Sequence, residues 1–478
     1  MSRGSLLKNS AIYSVIMLLQ KGINFFLIPV LTIYLTPYDY GVVAVVMAVN
    51  TFLNVFYLLA LNGSLNRFFY EFKGNDELVK KLFGTIVTFV LFNSLLISLI
   101  LFIGRKWLLQ PFLADIEFFP YMLLGLVSVM FNPCYTIYQN SLQAKQEGIR
   151  YGKNNMGFFI LNISLLLLSV IVFDMGAKGV LGSLAVTNII FFIYSLFGFR
   201  REFTFGIDWD LLLKSIKYAF PLIPHTIAGV ATALIDRILI NKLLTTSLVG
   251  IYSIGNNFGA IVFLIASGIN QAFVPWFNQK IKENKKTEIP KIAKSLILFY
   301  CVIALSLSFF GKEVIMLITP QIYHSAWRVI PFIAFAFVYH GVYYFFVGAL
   351  FYDIKGRGNR IIPVATISAA LTNIALNIAL IPIYGILGAA IATFISKFLL
   401  SISLSFLYGR YVKITYPVKY MLFMPLGFFV ISLIGFITVF DRYLFLTKTL
   451  IFALVLFLYF LFLKSDIRKF LKEVKLFN

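Results

Sequence analysis

The chain has 478 residues, of which 60% are hydrophobic and only 13% charged. Ordinary soluble domains are about 45–50% apolar and about 25% charged, so a water-soluble globular enzyme is excluded. The 53 Phe and 26 Tyr exclude disorder as well, and a polytopic all-α membrane protein is implied.

A membrane span needs roughly 20 apolar residues. Apolar runs between charged breaks predict about fourteen helices, at 9–33, 40–65, 79–103, 118–142, 152–173, 179–199, 213–240, 248–276, 292–310, 329–352, 360–381, 385–408, 417–440 and 445–463. No small-residue cleavage site follows the first apolar run, so no cleaved signal is expected. Cys134 and Cys301 both sit within apolar runs and read as packing residues.

The net charge of +22 would suit a nucleic-acid partner, but its distribution argues against one. Of 41 Lys and Arg, about 30 fall in one alternating set of connections and tails, including Arg67/Lys73, Lys145/Arg150, Lys280 to Lys294 and Lys464 to Lys475. The positive-inside rule puts these, and both termini, in the cytoplasm. The basic tail is placed to touch anionic membrane lipid. No connection exceeds about 20 residues, which leaves no room for a soluble catalytic domain.

The two halves resemble each other. Leu35-Thr36 to Gly41 aligns with Leu244-Thr245 to Gly250 at an offset of 209, and Leu142 to Gly148 aligns with Leu350 to Gly356 at 208. Gly179 to Thr187 aligns with Gly385 to Thr393 at 206. Ordered anchors at nearly one offset predict a six-helix unit repeated with the same topology about an axis near the membrane normal. The expected lobes are 1–205 and 206–412, with two helices and a basic tail in 413–478.

Polar residues line single faces of several helices. Ser10, Ser14, Lys21 and Asn24 do so on the first, Asn50 and Asn54 on the second, and Asn132, Thr136, Gln139 and Gln143 on the fourth. Ser253 and Asn257 share a face of the eighth. A single amide ordinarily makes a helix–helix hydrogen bond; stripes on several helices point to a hydrated cavity.

Charges within spans are Lys21, Asp236, Arg237 and Lys397, and such charges carry function by default. Lys21 lies roughly 18 Å into its helix at ~1.5 Å per residue, which favours a cavity role. Lys397 either lines a cavity or pairs with a neighbouring helix. Asn373 and Asn377 share a face, and with Asp236 and Thr393 they offer oxygen ligands for a hard cation. The plainer reading pairs Asp236 with a basic residue. Pro221 and Pro224 predict a bend opening the seventh helix. Asp208-Trp209-Asp210 resembles a metal-binding D-x-D, but capping the next helix is the favoured role for either Asp. The P-loop, H-E-x-x-H and C-x-x-C patterns are missing.

Longer motifs carry a family resemblance. They are Leu35-Thr36-Pro37-Tyr38-Asp39-Tyr40-Gly41, Arg67-Phe68-Phe69-Tyr70-Glu71, Asp236-Arg237 followed by Val249-Gly250-Ile251-Tyr252-Ser253, Pro275, and Pro382 to Ala390. In their order and spacing the chain resembles the Wzx-type polysaccharide (O-antigen) flippases of the multidrug/oligosaccharidyl-lipid/polysaccharide (MOP) exporter superfamily. The resemblance implies two six-helix lobes around a cationic cavity in a bacterial cytoplasmic membrane. The implied substrate is an undecaprenyl-diphosphate-linked oligosaccharide, moved by alternating access for cell-surface polysaccharide synthesis beside polymerase machinery.

On that reading Lys21, Arg67 and Arg237 meet the diphosphate, and Asn24, Asn50, Asn54 and Asn257 line the cavity. Asp236, Asn373, Asn377 and Thr393 match a coupling site for Na+ or H+ in some relatives. Asn377 stands there without a second acid, so sodium, protonation of Asp236 and no coupling all stay open. A lipid II flippase and a cation-coupled multidrug exporter of the same superfamily are the alternatives. The exporter is disfavoured by Lys21 where an early acid is usual, and no enzymatic activity or cofactor is expected.

Overall fold

A computed structural model describes residues 16, 19–20, 22–23, 25–200, 203, 205–351, 358–409, 414–437 and 445–457. Among the described residues the chain consists of helices and the turns that join them, with no strand. Ten of these helices are long and apolar enough to cross a membrane. Shorter apolar helices at Phe25–Tyr34, Val418–Ile434 and Phe445–Phe457 accompany them. The chain is therefore a multi-pass helical membrane protein. Its contacts divide it into two compact units, Met1–Ser253 with Asn377–Ile386, and Ile254–Leu376 with Leu387–Asn478.

In the first unit, α1 (Phe25–Tyr34) leads into α2 (Pro37–Leu58), α3 (Leu61–Glu71) and α4 (Asp76–Ile103). Then come α5 (Leu123–Ala144), α6 (Gly148–Leu167), α7 (Gly176–Phe199), α8 (Trp209–Ala219) and α9 (Ile223–Leu243). The start of α10 (Thr246–Gly259) completes it. Its core gathers Leu65, Phe83, Ile86, Tyr138 and Phe199, all fully buried.

The sequence predicts one helix over 40–65. The chain instead breaks between α2 and α3, where Leu59 (φ 46°) and Ala60 (φ 54°) are both left-handed. Where Pro221 and Pro224 predict a bend, one turn of 3-10 helix, Phe220–Leu222, interrupts the chain between α8 and α9. Asp208 caps α8, accepting from the Leu211 N–H at 3.0 Å.

The start of α2 is fixed twice. Thr36 and Asp39 form a reciprocal capping box, and the Asp39 carboxylate also accepts from the Ala177 N–H at 3.1 Å, at the start of α7. Nearby, α2 and α10 cross at glycines. A Cβ on Gly41 would collide with the Thr246 carbonyl oxygen, and one on Gly250 with the Pro37 carbonyl oxygen. Small residues at such crossings let backbones approach where lipid supplies no hydrophobic drive.

The second unit takes α10 from Ile254, α11 (Ile261–Lys282), α12 (Glu288–Ile318), α13 (Ile330–Phe351) and α14 (Gly358–Tyr384) as far as Leu376. It continues with α15 (Ile386–Tyr408) from Leu387, α16 (Val418–Ile437) and α17 (Phe445–Phe457). Helix α13 is apolar all round and sits in the core, burying Phe335, Tyr339, Val342 and Phe346. The Tyr339 hydroxyl donates to the Leu422 carbonyl of α16, and its own carbonyl accepts from Ser401 of α15.

Helix α12 overruns the predicted 292–310 at both ends. At its far end Lys312 lies over the Trp327 ring at 5.5 Å, and Glu313 pairs with Lys448 of α17 at 3.0 Å. The run predicted over 248–276 is broken at Ala260 into α10 and α11.

Candidate functional site

In the first unit a polar space lies between α5 and α6. It is a cavity of about 450 Å³. Helix α5 contributes Asn132, Thr136, Gln139, Asn140 and Gln143, and α6 contributes Asn155 and Asn162 with Tyr151, Phe158 and Phe159. Gln20 closes one side. Both helices repeat their polar positions at steps of three, four and seven, which gives each one wet face. Among the described residues that line the cavity, none is charged.

Its amides are held in place by their nitrogens. Asn140 Nδ2 donates to the Thr136 carbonyl, Asn155 Nδ2 to the Tyr151 carbonyl, and Gln20 Nε2 to the Asn155 carbonyl, at 2.7, 3.2 and 3.0 Å. Gln139 Nε2 donates to the Tyr135 hydroxyl at 2.9 Å, while its Oε1 is buried without a hydrogen-bond partner. Tyr135 and Phe158 stack at 5.2 Å, with ring planes 8° apart, and form the apolar wall. The arrangement presents acceptors beside an aromatic surface.

A second polar cluster in the same unit centres on Asp236, which is 4% exposed. Its two oxygens accept from Asn377 Nδ2 and from the Tyr252 hydroxyl, each at 2.8 Å. Both of these donors are neutral groups. In the second unit, Asn373 Nδ2 reaches Thr393 Oγ1 at 3.4 Å and Ser396 Oγ at 3.5 Å. Asp236 thus meets Asn377, and Asn373 meets Thr393. Lys397 has a partner on a neighbouring helix, its Nζ lying 3.4 Å from His340 Nδ1 of α13.

Lys21 and Asn24 lie outside the described residues. Arg67 is exposed, with its guanidinium 5.0 Å from the Tyr218 ring centroid. Lys214 beside it lies over Phe68 and Phe72 and pairs with Glu71 at 2.7 Å. Arg237 and Asn257 are partly buried. Asn50 donates to the Gly125 carbonyl at 3.0 Å, and the amide oxygens of both Asn50 and Asn54 are buried without a partner. Sequence reading missed the pairing of Tyr252 with Asp236 and the α6 wall of the cavity. The signal for the wall was present, since Tyr151, Asn155, Phe158 and Asn162 share one helix face.

Residues 6–281, more than half of the chain, match the family model described as polysaccharide biosynthesis protein. The chain belongs to this family. It is 24% identical over 288 residues to "Lsg locus putative protein 1" of Haemophilus influenzae, covering 58% of this chain and 67% of that protein. It is 26% identical over 289 residues to "Capsular polysaccharide biosynthesis protein CapF" of Staphylococcus aureus, covering 58% and 70%.

Among solved structures, the lipid II flippase MurJ in an inward closed conformation superposes with a TM-score of 0.77 at 15% identity, covering 95% of this chain and 99% of that one. An inward-facing MATE family multidrug resistance transporter of the MOP superfamily gives 0.67 at 11% identity, covering 84% and 98%. The chain thus shares its fold with MurJ and with this MATE family transporter.

Proposed function

We propose that this protein is a flippase for a lipid-linked oligosaccharide in a bacterial cytoplasmic membrane. It carries the glycan headgroup of an undecaprenyl-diphosphate lipid across while the tail stays in the bilayer. The observation that carries this reading is the carboxamide-lined cavity between α5 and α6, inside a member of the polysaccharide biosynthesis family. A transported organic cation calls for a carboxylate, and a sugar calls for neutral hydrogen-bonding groups.

The cationic side chains take the diphosphate: Arg67 on entry, then Lys21 and Arg237 within the spans. Asn24, Asn50, Asn54 and Asn257 solvate the passing headgroup. Segments 1–205 and 206–412 act as the two alternating lobes, with 413–478 appended, and the basic connections face the cytoplasm. Asp236 is the coupling group. It exchanges its Asn377 and Tyr252 hydrogen bonds for a proton or Na+, with Asn373 and Thr393 as further oxygen ligands. The flipped product passes to polymerase machinery.

The test is a flipping assay. Purified protein is reconstituted in liposomes with glycan-labelled fluorescent undecaprenyl-diphosphate oligosaccharide, and an impermeant quencher is added. Protein-dependent quenching of the inner-leaflet label, lost in Lys21→Ala and Arg237→Ala variants of normal yield, is the expected result. Movement of lipid II alone would reassign the cargo to peptidoglycan. No lipid movement, beside pH-driven efflux of an organic cation, would make the protein an exporter.

A further inference from the structure

The cavity between α5 and α6 is a binding site in its own right. Its volume of about 450 Å³ falls within the ~300–1,000 Å³ of small-ligand sites, enough for a short glycan segment and too little for a polymer. We infer that it is a glycan-reading pocket that selects neutral sugar residues. The inference rests on the flippase reading for the origin of its ligand.

The chemistry follows from which atoms are already engaged. In Gln20, Asn140 and Asn155 the amide nitrogen is spent on a main-chain carbonyl. The oxygens are the atoms these bonds leave over. Gln139, 7% exposed, lines the same space with an Oε1 that has no partner. That atom is enclosed by protein, so the acceptors left for a ligand are the amide oxygens of Gln20, Asn140 and Asn155. Sugars bring hydroxyl donors in quantity and C–H faces that pack on aromatic rings, which Tyr135 and Phe158 supply.

Selection against charge follows from the same lining. A uronic acid or sialic acid placed here would lose hydration with no cation among the described lining residues to replace it. A protonated amine would likewise meet no carboxylate. Phosphate recognition and sugar recognition are thus divided between different residues.

The experiment uses free disaccharides, without lipid or diphosphate. The full chain in nanodiscs is titrated by saturation-transfer-difference NMR against N,N′-diacetylchitobiose, N-acetyllactosamine and cellobiose as neutral probes, and digalacturonic acid as the anionic one. At least one neutral probe is expected to bind wild type and to bind Asn155→Ala roughly tenfold more weakly, the effect of one lost hydrogen bond. Digalacturonic acid is expected to bind only Gln143→Lys, which places a cation on a partly exposed wall position.

The inference is overturned if no neutral probe binds, if Asn155→Ala binds as wild type does, or if wild type takes digalacturonic acid equally well. Elution as a single folded peak qualifies each variant, and the gain of anion binding by Gln143→Lys is a readout that misfolding cannot mimic. Flipping by wild type without disaccharide binding removes the pocket and leaves the cargo assignment. Disaccharide binding without flipping does the reverse.

Discussion

Gly41 of α2 lies against the backbone carbonyl of Thr246, and Gly250, its counterpart at an offset of 209, lies against the carbonyl of Pro37, the counterpart of Thr246. The two contacts are reciprocal, as at a two-fold interface where residue i meets j and j meets i. Residues at equivalent positions of the sequence repeat thus meet in space. Gly41→Ala and Gly250→Ala should each destabilise the protein by about 1–3 kcal/mol, since backbone cannot move aside as a side chain can. Gly182→Ala, with no atom within 4 Å of its added Cβ, should be neutral. Detergent-resistant folded yield after heating, followed by size exclusion, compares all three.

Asp236 holds two buried hydrogen bonds from neutral donors. Hydrogen bonds to a charged group are worth about 1.5–3 kcal/mol, so Tyr252→Phe and Asn377→Ala should each lower thermal stability by that order. Asp236→Asn should keep the fold and abolish the dependence of flipping rate on a pH or Na+ gradient. An Asp236→Asn protein that flips with an unchanged gradient dependence would remove Asp236 from coupling.

The break between α2 and α3 rests on two consecutive left-handed residues that are not glycine, Leu59 and Ala60. Such a residue costs roughly 1–2 kcal/mol relative to a right-handed one. Ala60→Gly should therefore raise the melting temperature, and Ala60→Val should lower it. Differential scanning fluorimetry of the purified variants reads both signs.

Lys448, 4% exposed, anchors α17 to α12 through the Glu313 carboxylate at 3.0 Å and the Phe309 carbonyl at 3.1 Å. Lys448→Met keeps the length of the side chain and removes both bonds. The expected cost is about 1.5–3 kcal/mol, seen as faster proteolytic release of the C-terminal segment. An unchanged digestion rate would mean that apolar packing alone docks α17.

At the end of α11, hydrogen bonds from Gln279 and Lys285 hold the Glu283 carboxyl below its usual range. A lowered carboxylate pKa stabilises the folded turn above the ordinary carboxylate value, and that contribution fades as pH falls through the lowered one. Amide exchange at Asn284 and Lys285 should accelerate on acidification beyond the intrinsic rate. In Glu283→Gln that extra acceleration should be missing.

Much of the fold was legible because lipid imposes a simple code. Apolar runs marked the spans, Pro221 and Pro224 marked a real interruption of the α-helix, and Asp208 marked a real cap. What failed was the assumption that charge ends a helix. Lys312 and Glu313 continue α12 because Trp327 and Lys448, distant in sequence, receive them. The break at Leu59–Ala60 carries no glycine or proline to announce it.

The site was half legible. The α5 stripe of Asn132, Thr136 and Gln139 stood out, whereas the α6 face mixes Asn155 and Asn162 with Phe158 and reads as ordinary core until α5 is set against it. Tyr252 stood in the motif after Asp236-Arg237, but nothing in the sequence paired its hydroxyl with Asp236, because a tyrosine in an apolar span is usually packing. The amphipathic pattern names a face; only tertiary structure names what the face meets.

Asp39 joins the start of α2 to the start of α7 with one carboxylate. Two helix dipoles share this anion at their positive ends. One acidic side chain in the first turn of α2 therefore sets the start of two helices at once, and its loss would loosen both.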